Sequence, residues 1–141
     1  MVKKILISLF AFFALSCADS SMRFIFYHEP TFVTEYTTLD FFTILNHPGF
    51  HRNRQTVMFH YAQDQTITTP QVHDLVSAYA TNGQFNYILV HYTDPRIIQN
   101  SDAADLAEAI AITLTNFFNN GYSSGQMNLI GFSLGAQIMD W

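Results

Sequence analysis

Residues 19–141 alternate short apolar runs with stretches of helical periodicity, a pattern that predicts layers of sheet and helix. Residues 23–27 (RFIFY) and 34–38 have the aromatic and β-branched content of short strands, and residues 41–45 suit one helical turn before the His47-Pro48-Gly49 break. Residues 56–60 (TVMFH) predict a short buried strand. Thr69 and Pro70 then supply an N-cap and a proline at the first helical position, and Val72, Leu75, Val76 and Tyr79 recur at helical spacing until Asn82-Gly83. Residues 87–91 (YILVH) are apolar until the last position, as in a strand covered on both faces. Asp102 is placed to cap a long helix over residues 103–119, buried through Leu106, Ile110, Leu114, Phe117 and Phe118 and stopped by Asn120-Gly121. Residues 127–131 (MNLIG) form the last strand. Two strand-helix-strand crossovers in succession predict a parallel sheet with right-handed connections.

The first eighteen residues depart from this pattern. Lys3 and Lys4 precede an apolar run over residues 5–15, with Ser8 its one polar member, and Ser16-Cys17-Ala18 stands before Asp19. This is the build of a cleaved signal peptide and predicts a secreted, extracellular protein. The run is too short for the roughly 20 residues that a bilayer core requires, so no stable membrane anchor is expected. Ala14 also stands where a lipoprotein signal would be expected to carry leucine. Cys17 is the only cysteine and leaves with the leader, so the mature chain is expected to have neither a disulfide nor a thiol nucleophile. The remaining length is one domain's worth.

With 49% hydrophobic, 16% aromatic and 12% charged residues, the chain can bury a core. Its net charge of −5 becomes −7 once Lys3 and Lys4 are removed, and no lysine is then left. The four arginines, Arg23, Arg52, Arg54 and Arg96, form no phosphate-neutralising cluster, which sets nucleic-acid binding aside.

The chemistry concentrates at the end of the last strand. Gly131-Phe132-Ser133-Leu134-Gly135 is a G-x-S-x-G pentapeptide followed by the helix-forming Ala136-Gln137-Ile138-Met139. A serine on a sharp strand-to-helix turn has its hydroxyl pushed out of the sheet, and the flanking glycines let strand and helix approach where a Cβ would clash. The Leu134 amide then faces a bound carbonyl, and the new helix places its positive end near the developing oxyanion.

With the helix and the Asn119-Asn120-Gly121-Tyr122 turn before it, the segment NLIGFSLGAQIMDW resembles the neutral lipase family, which includes pancreatic lipases, phospholipases A1 and insect yolk proteins. Residues 23–30 (RFIFYHEP) resemble that family's early strand, residues 50–57 (FHRNRQTV) its polar approach to the first buried strand, and residues 87–93 (YILVHYT) a strand that usually ends Val-Asp-Trp-Ser. The resemblance implies the N-terminal portion of an α/β-hydrolase fold, a mostly parallel sheet with flanking helices. It also implies hydrolysis of carboxylic esters in lipids, triacylglycerol or phospholipid, through an acyl-serine intermediate and without a cofactor or metal. The implied partner is a lipid ester or a lipid-water interface, and the oligomeric state is left open. By the same resemblance Ser133 is the nucleophile, Leu134 one oxyanion donor, and Ala62 the second.

Three departures qualify what is carried over. The family's usual His-Gly-Phe is here His60-Tyr61-Ala62, so tyrosine replaces the glycine that shapes the oxyanion loop. His91-Tyr92 stands where Asp-Trp is common and reads as packing variation. The family's acid and base follow the serine, whereas His28, His47, His51, His60, His73 and His91 all precede Ser133. The expectation is therefore a fragment truncated after the elbow, inactive by itself for lack of the triad's acid and base. The alternatives are a non-catalytic yolk-type or lipid-binding relative, and an interaction protein on another α/β fold. His47 and His51 are four apart, but Pro48-Gly49 breaks the helix that would pair them on a metal. Asp102, Asp105 and Glu108 suit the first turns of a helix as dipole partners.

Overall fold

The computed structural model describes residues 22–29, 32–61, 65–93 and 103–140. The predicted leader, the Asp102 cap and Ala62 lie outside the described residues. Five strands form one sheet: β1 (Met22–Glu29), β2 (Phe32–Tyr36), β3 (Gln55–His60), β4 (Phe85–Tyr92) and β5 (Met127–Gly131), in the order β2-β1-β4-β3-β5. Among the described residues three helices accompany them: α1 (Pro70–Asn82), α2 (Ala103–Asn119) and α3 (Leu134–Met139). A 3-10 segment, Phe41–Asn46, fills the place of the single helical turn expected there.

The sheet corrects the expected fold. It is mixed rather than the mostly parallel sheet of an α/β-hydrolase: β1 runs antiparallel to both β2 and β4, and only β4, β3 and β5 run parallel. The physical reason lies in the connections. Only two residues separate β1 from β2, enough for a hairpin and far short of the crossover that a parallel pair requires. Among the described residues, helical crossovers run only from β3 through α1 to β4 and from β4 through α2 to β5. The first steps from β3 to β4 and the second back across β3 to β5, so right-handed connections place α1 and α2 on opposite faces.

Strand alternation feeds a core on each face. Phe24, Phe26, Met58, Ile88 and Val90 point toward α2, where Leu106, Ile110, Leu114 and Phe117 cover them, and Ile138 of α3 joins the same cluster. Ile25, Val57, Phe59, Tyr87 and Leu89 point the other way, onto Val72 and Val76 of α1. The helix stops fall as the sequence predicted, with Gly83 at φ 66° and Gly121 at φ 99°, conformations that a β-carbon disfavours. Thr69 precedes α1 as expected but makes no side-chain cap; its hydroxyl accepts the Thr66 amide instead.

A polar network pins the chain entering β3. The Asn86 side chain accepts the His51 amide and donates to the His51 carbonyl and the Thr56 hydroxyl, which meets the Tyr122 hydroxyl at 2.6 Å. Asn86 and Thr56 are buried, so these groups have no water to replace a lost partner. Asn86→Ala is expected to cost about 2 kcal/mol through the groups left unpaired. Urea titration checks this, and an unchanged midpoint would refute it.

Candidate active site at the β5–α3 turn

β5 ends at Gly131 and α3 begins at Leu134, leaving Phe132 and Ser133 to reverse the chain. Phe132 donates its amide to the His60 carbonyl at 3.0 Å, extending the β3 ladder one residue past the strand. The first helical bonds follow at once, Gly135 to the Phe132 carbonyl and Ala136 to the Ser133 carbonyl, both 3.0 Å. Ser133 absorbs the whole reversal, with φ 56° and ψ −119°. It is the one non-glycine residue at positive φ among the described residues. Such a backbone costs on the order of 1–3 kcal/mol and persists only where the surroundings impose it.

The surroundings impose it through the glycines. A β-carbon on Gly131 would fall on the Gly135 carbonyl oxygen and the Ala136 backbone. One on Gly135 would strike the His60 carbonyl oxygen and, at 2.6 Å, the His60 ring Nδ1. The two glycines thus bring β5, α3 and the end of β3 into backbone contact, and Ser133 is left exposed above them. Leu134 is the first residue of α3, where helical amides have no acceptor within the helix.

His60 sits beneath this turn, fully buried. Its Nδ1 lies 2.8 Å from the Tyr61 carbonyl oxygen, which can only accept, so Nδ1 carries the proton. Nε2 then accepts from the Tyr92 hydroxyl at 2.7 Å. Burial lowers the imidazole pKa to about 4, against a smaller upward pull from the Tyr61 carbonyl. Neutral and with both nitrogens engaged, His60 does not serve as a base for Ser133; it is a prop under Gly135. On the other face of the sheet the Tyr61 hydroxyl meets His91 Nδ1. Burial pushes the Tyr61 phenol up to about 12 and lowers the half-buried His91. The ends of β3 and β4 are therefore tied twice, once on each face.

The structure places the sequence-predicted Ser133, Gly131 and Gly135 at one strand-to-helix turn with Leu134. Ala62 lies outside the described residues. The contacts of His60 with Tyr92 and of Tyr61 with His91 go beyond the sequence expectation, in which the His91-Tyr92 pair is packing variation. The available signal was two aromatic-histidine dipeptides at the ends of neighbouring strands. Ser133 stands at the N-cap of α3, and its hydroxyl makes no capping hydrogen bond to that helix. His28 and His47 lie beside Phe26 near the β1–β2 connection, and His47 Nδ1 accepts the Gly49 amide at 3.0 Å. Among the described residues no group of three or more His, Cys, Asp or Glu could hold a metal ion. No described helix is long and apolar enough to cross a membrane.

On the α1 face, a groove of about 330 Å3 opens beside the turn, lined by Phe59, Val72, Leu75, Ile130 and Phe132. Phe132, immediately before Ser133, is 58% exposed. No protein-family model matches the sequence, and no curated protein matches it.

Proposed function

We propose that Ser133 is the nucleophile of a lipase-type carboxylic ester hydrolase, attacking a lipid ester carbonyl to form an acyl-serine. The observation that carries this reading is the exposed serine at φ 56°, locked between two glycines at a strand-to-helix turn. Backbone strain concentrated on one exposed nucleophilic side chain is a cost that a mere loop would relax. The Leu134 amide stands as the oxyanion donor, with Ala62 as the second donor by resemblance. The apolar groove beside Phe132 favours an ester with a hydrocarbon chain. The leader-like first eighteen residues favour export.

The second reading, a non-catalytic relative that binds lipid, is favoured by Tyr61 in place of the usual glycine. One experiment separates the two. The purified chain is incubated with a p-nitrophenyl acyl ester, with imidazole added as an exogenous base, and adducts are mapped by mass spectrometry. Acylation confined to Ser133 and absent from Ser133→Ala supports the nucleophile. Acylation spread evenly over surface serines overturns it.

The same position offers a stability readout. Ser133→Gly removes the nucleophile and relieves the positive-φ strain, so it is expected to raise stability by about 1–2 kcal/mol, whereas Ser133→Ala is expected to raise it little. Equal midpoints for the two variants in chemical denaturation would show that the turn is not strained.

A further inference from the structure

The chain carries two Asn-Gly steps, Asn82-Gly83 and Asn120-Gly121, and each closes a helix. Asn-Gly is the dipeptide most open to attack by its own backbone, because glycine has no side chain to shield its amide nitrogen. That nitrogen adds to the side-chain carbonyl carbon of the asparagine, ammonia leaves, and a five-membered succinimide remains. Water then opens the ring at either carbonyl, giving aspartate or isoaspartate. One water is consumed and one ammonia released, with no change of oxidation state, and the chain gains one negative charge.

The fold treats the two steps differently. At the end of α2 both reacting groups are held. The Asn120 side-chain amide donates to the Asn116 carbonyl at 2.8 Å and to the Asn116 side-chain oxygen at 3.2 Å. The Gly121 amide, which would be the attacking nitrogen, donates to the Phe118 carbonyl at 2.9 Å. Ring closure there must first break these bonds. At the end of α1 nothing comparable exists: among the described residues the Asn82 side chain has no hydrogen-bond partner, and the Gly83 amide makes no closing bond like that of Gly121. A helix end without such bonds frays, which lets the asparagine side chain and the next amide meet.

We propose that Asn82 is a self-modification site, converting to aspartate or isoaspartate in the folded protein while Asn120 stays intact. The change is one-way. It places a carboxylate on the last residue of α1, at the carbonyl end of the helix where negative charge is disfavoured. In the isoaspartate product the backbone also gains a methylene, which disrupts the stop at Gly83. Asn82 lies just before β4 begins, whereas Ser133 lies just past the end of the parallel β5, so the modification proceeds at the opposite end of the sheet and is independent of the proposed ester chemistry.

Peptide mapping by mass spectrometry tests it. The purified chain is incubated at mildly alkaline pH, native in one sample and in urea in another, with circular dichroism to confirm each state. Cleavage after Arg54 and Arg96 puts Asn82 and Asn120 on separate peptides, and fragmentation localises each amide-to-acid mass gain. In the native chain Asn82 is expected to convert at least about tenfold faster than Asn120, the cost of freeing Asn120 and Gly121 from their hydrogen bonds. In urea those bonds are gone, and the two steps are expected to convert at comparable rates. The proposal is overturned by comparable rates in the native chain, by Asn120 converting first, by an Asn82 that stays unconverted, or by a difference that persists in urea and so belongs to the flanking sequence.

Discussion

Gly135→Ala is expected to destabilise the protein by about 3 kcal/mol or more, near the upper end of what adding a single methyl group does. The added carbon would strike the His60 carbonyl and its ring Nδ1. Neither can retreat cheaply: the carbonyl accepts the Phe132 amide, and the ring is held at both nitrogens, by the Tyr61 carbonyl and the Tyr92 hydroxyl. Relief requires α3 to lift from β3, which breaks the ladder that seats Ser133. Gly83→Ala is the control. Its β-carbon meets nothing within 4 Å, so only the left-handed backbone conformation is penalised, by about 1 kcal/mol. Equal losses for the two variants in urea titration would show that backbone conformation alone, and not contact with His60, sets the requirement at Gly135.

Acidification should act through the same histidine. Free imidazole takes up its proton near pH 6.5, whereas burial lowers the His60 pKa to about 4 in the folded chain. Between these values the unfolded chain binds a proton that the folded chain does not, so stability rises with pH across this window. Going from pH 7 to pH 4 is therefore expected to remove about 3 kcal/mol through His60 alone. His91 and His47, both lowered chiefly by burial, add to the loss in the same direction. Unfolding free energies measured at several pH values for the wild type and His60→Asn check this. The variant should be less stable at neutral pH and should lose less on acidification. An unchanged pH slope would place the sensitivity in other groups.

The two results bear on one design. The β5–α3 turn rests on a neutral imidazole that does no proton transfer itself, and its neutrality depends on burial.

Much of this was written locally in the sequence. The extents of α2 and β5 follow from residues 103–119 and 127–131 with their glycine stops. The pentapeptide 131–135 announces a glycine-flanked serine turn, because the clash that selects each glycine arises from the chain's immediate neighbours and from the strand beside it. Local pattern could not give strand direction. Residues 23–27 read as a strand whichever way they run, and in the sheet β1 pairs antiparallel with both β2 and β4, turning an expected parallel sheet into a mixed one. The role of His60 was equally hidden. A histidine at the end of an apolar run could be a base, a ligand or a prop, and only the Tyr92 hydroxyl, reaching it from thirty-two positions along the chain, decides that its Nε2 lone pair is occupied. Sequence spacing determines which residues share a turn; the packing of strands determines which polar groups are already satisfied, and so what each is free to do.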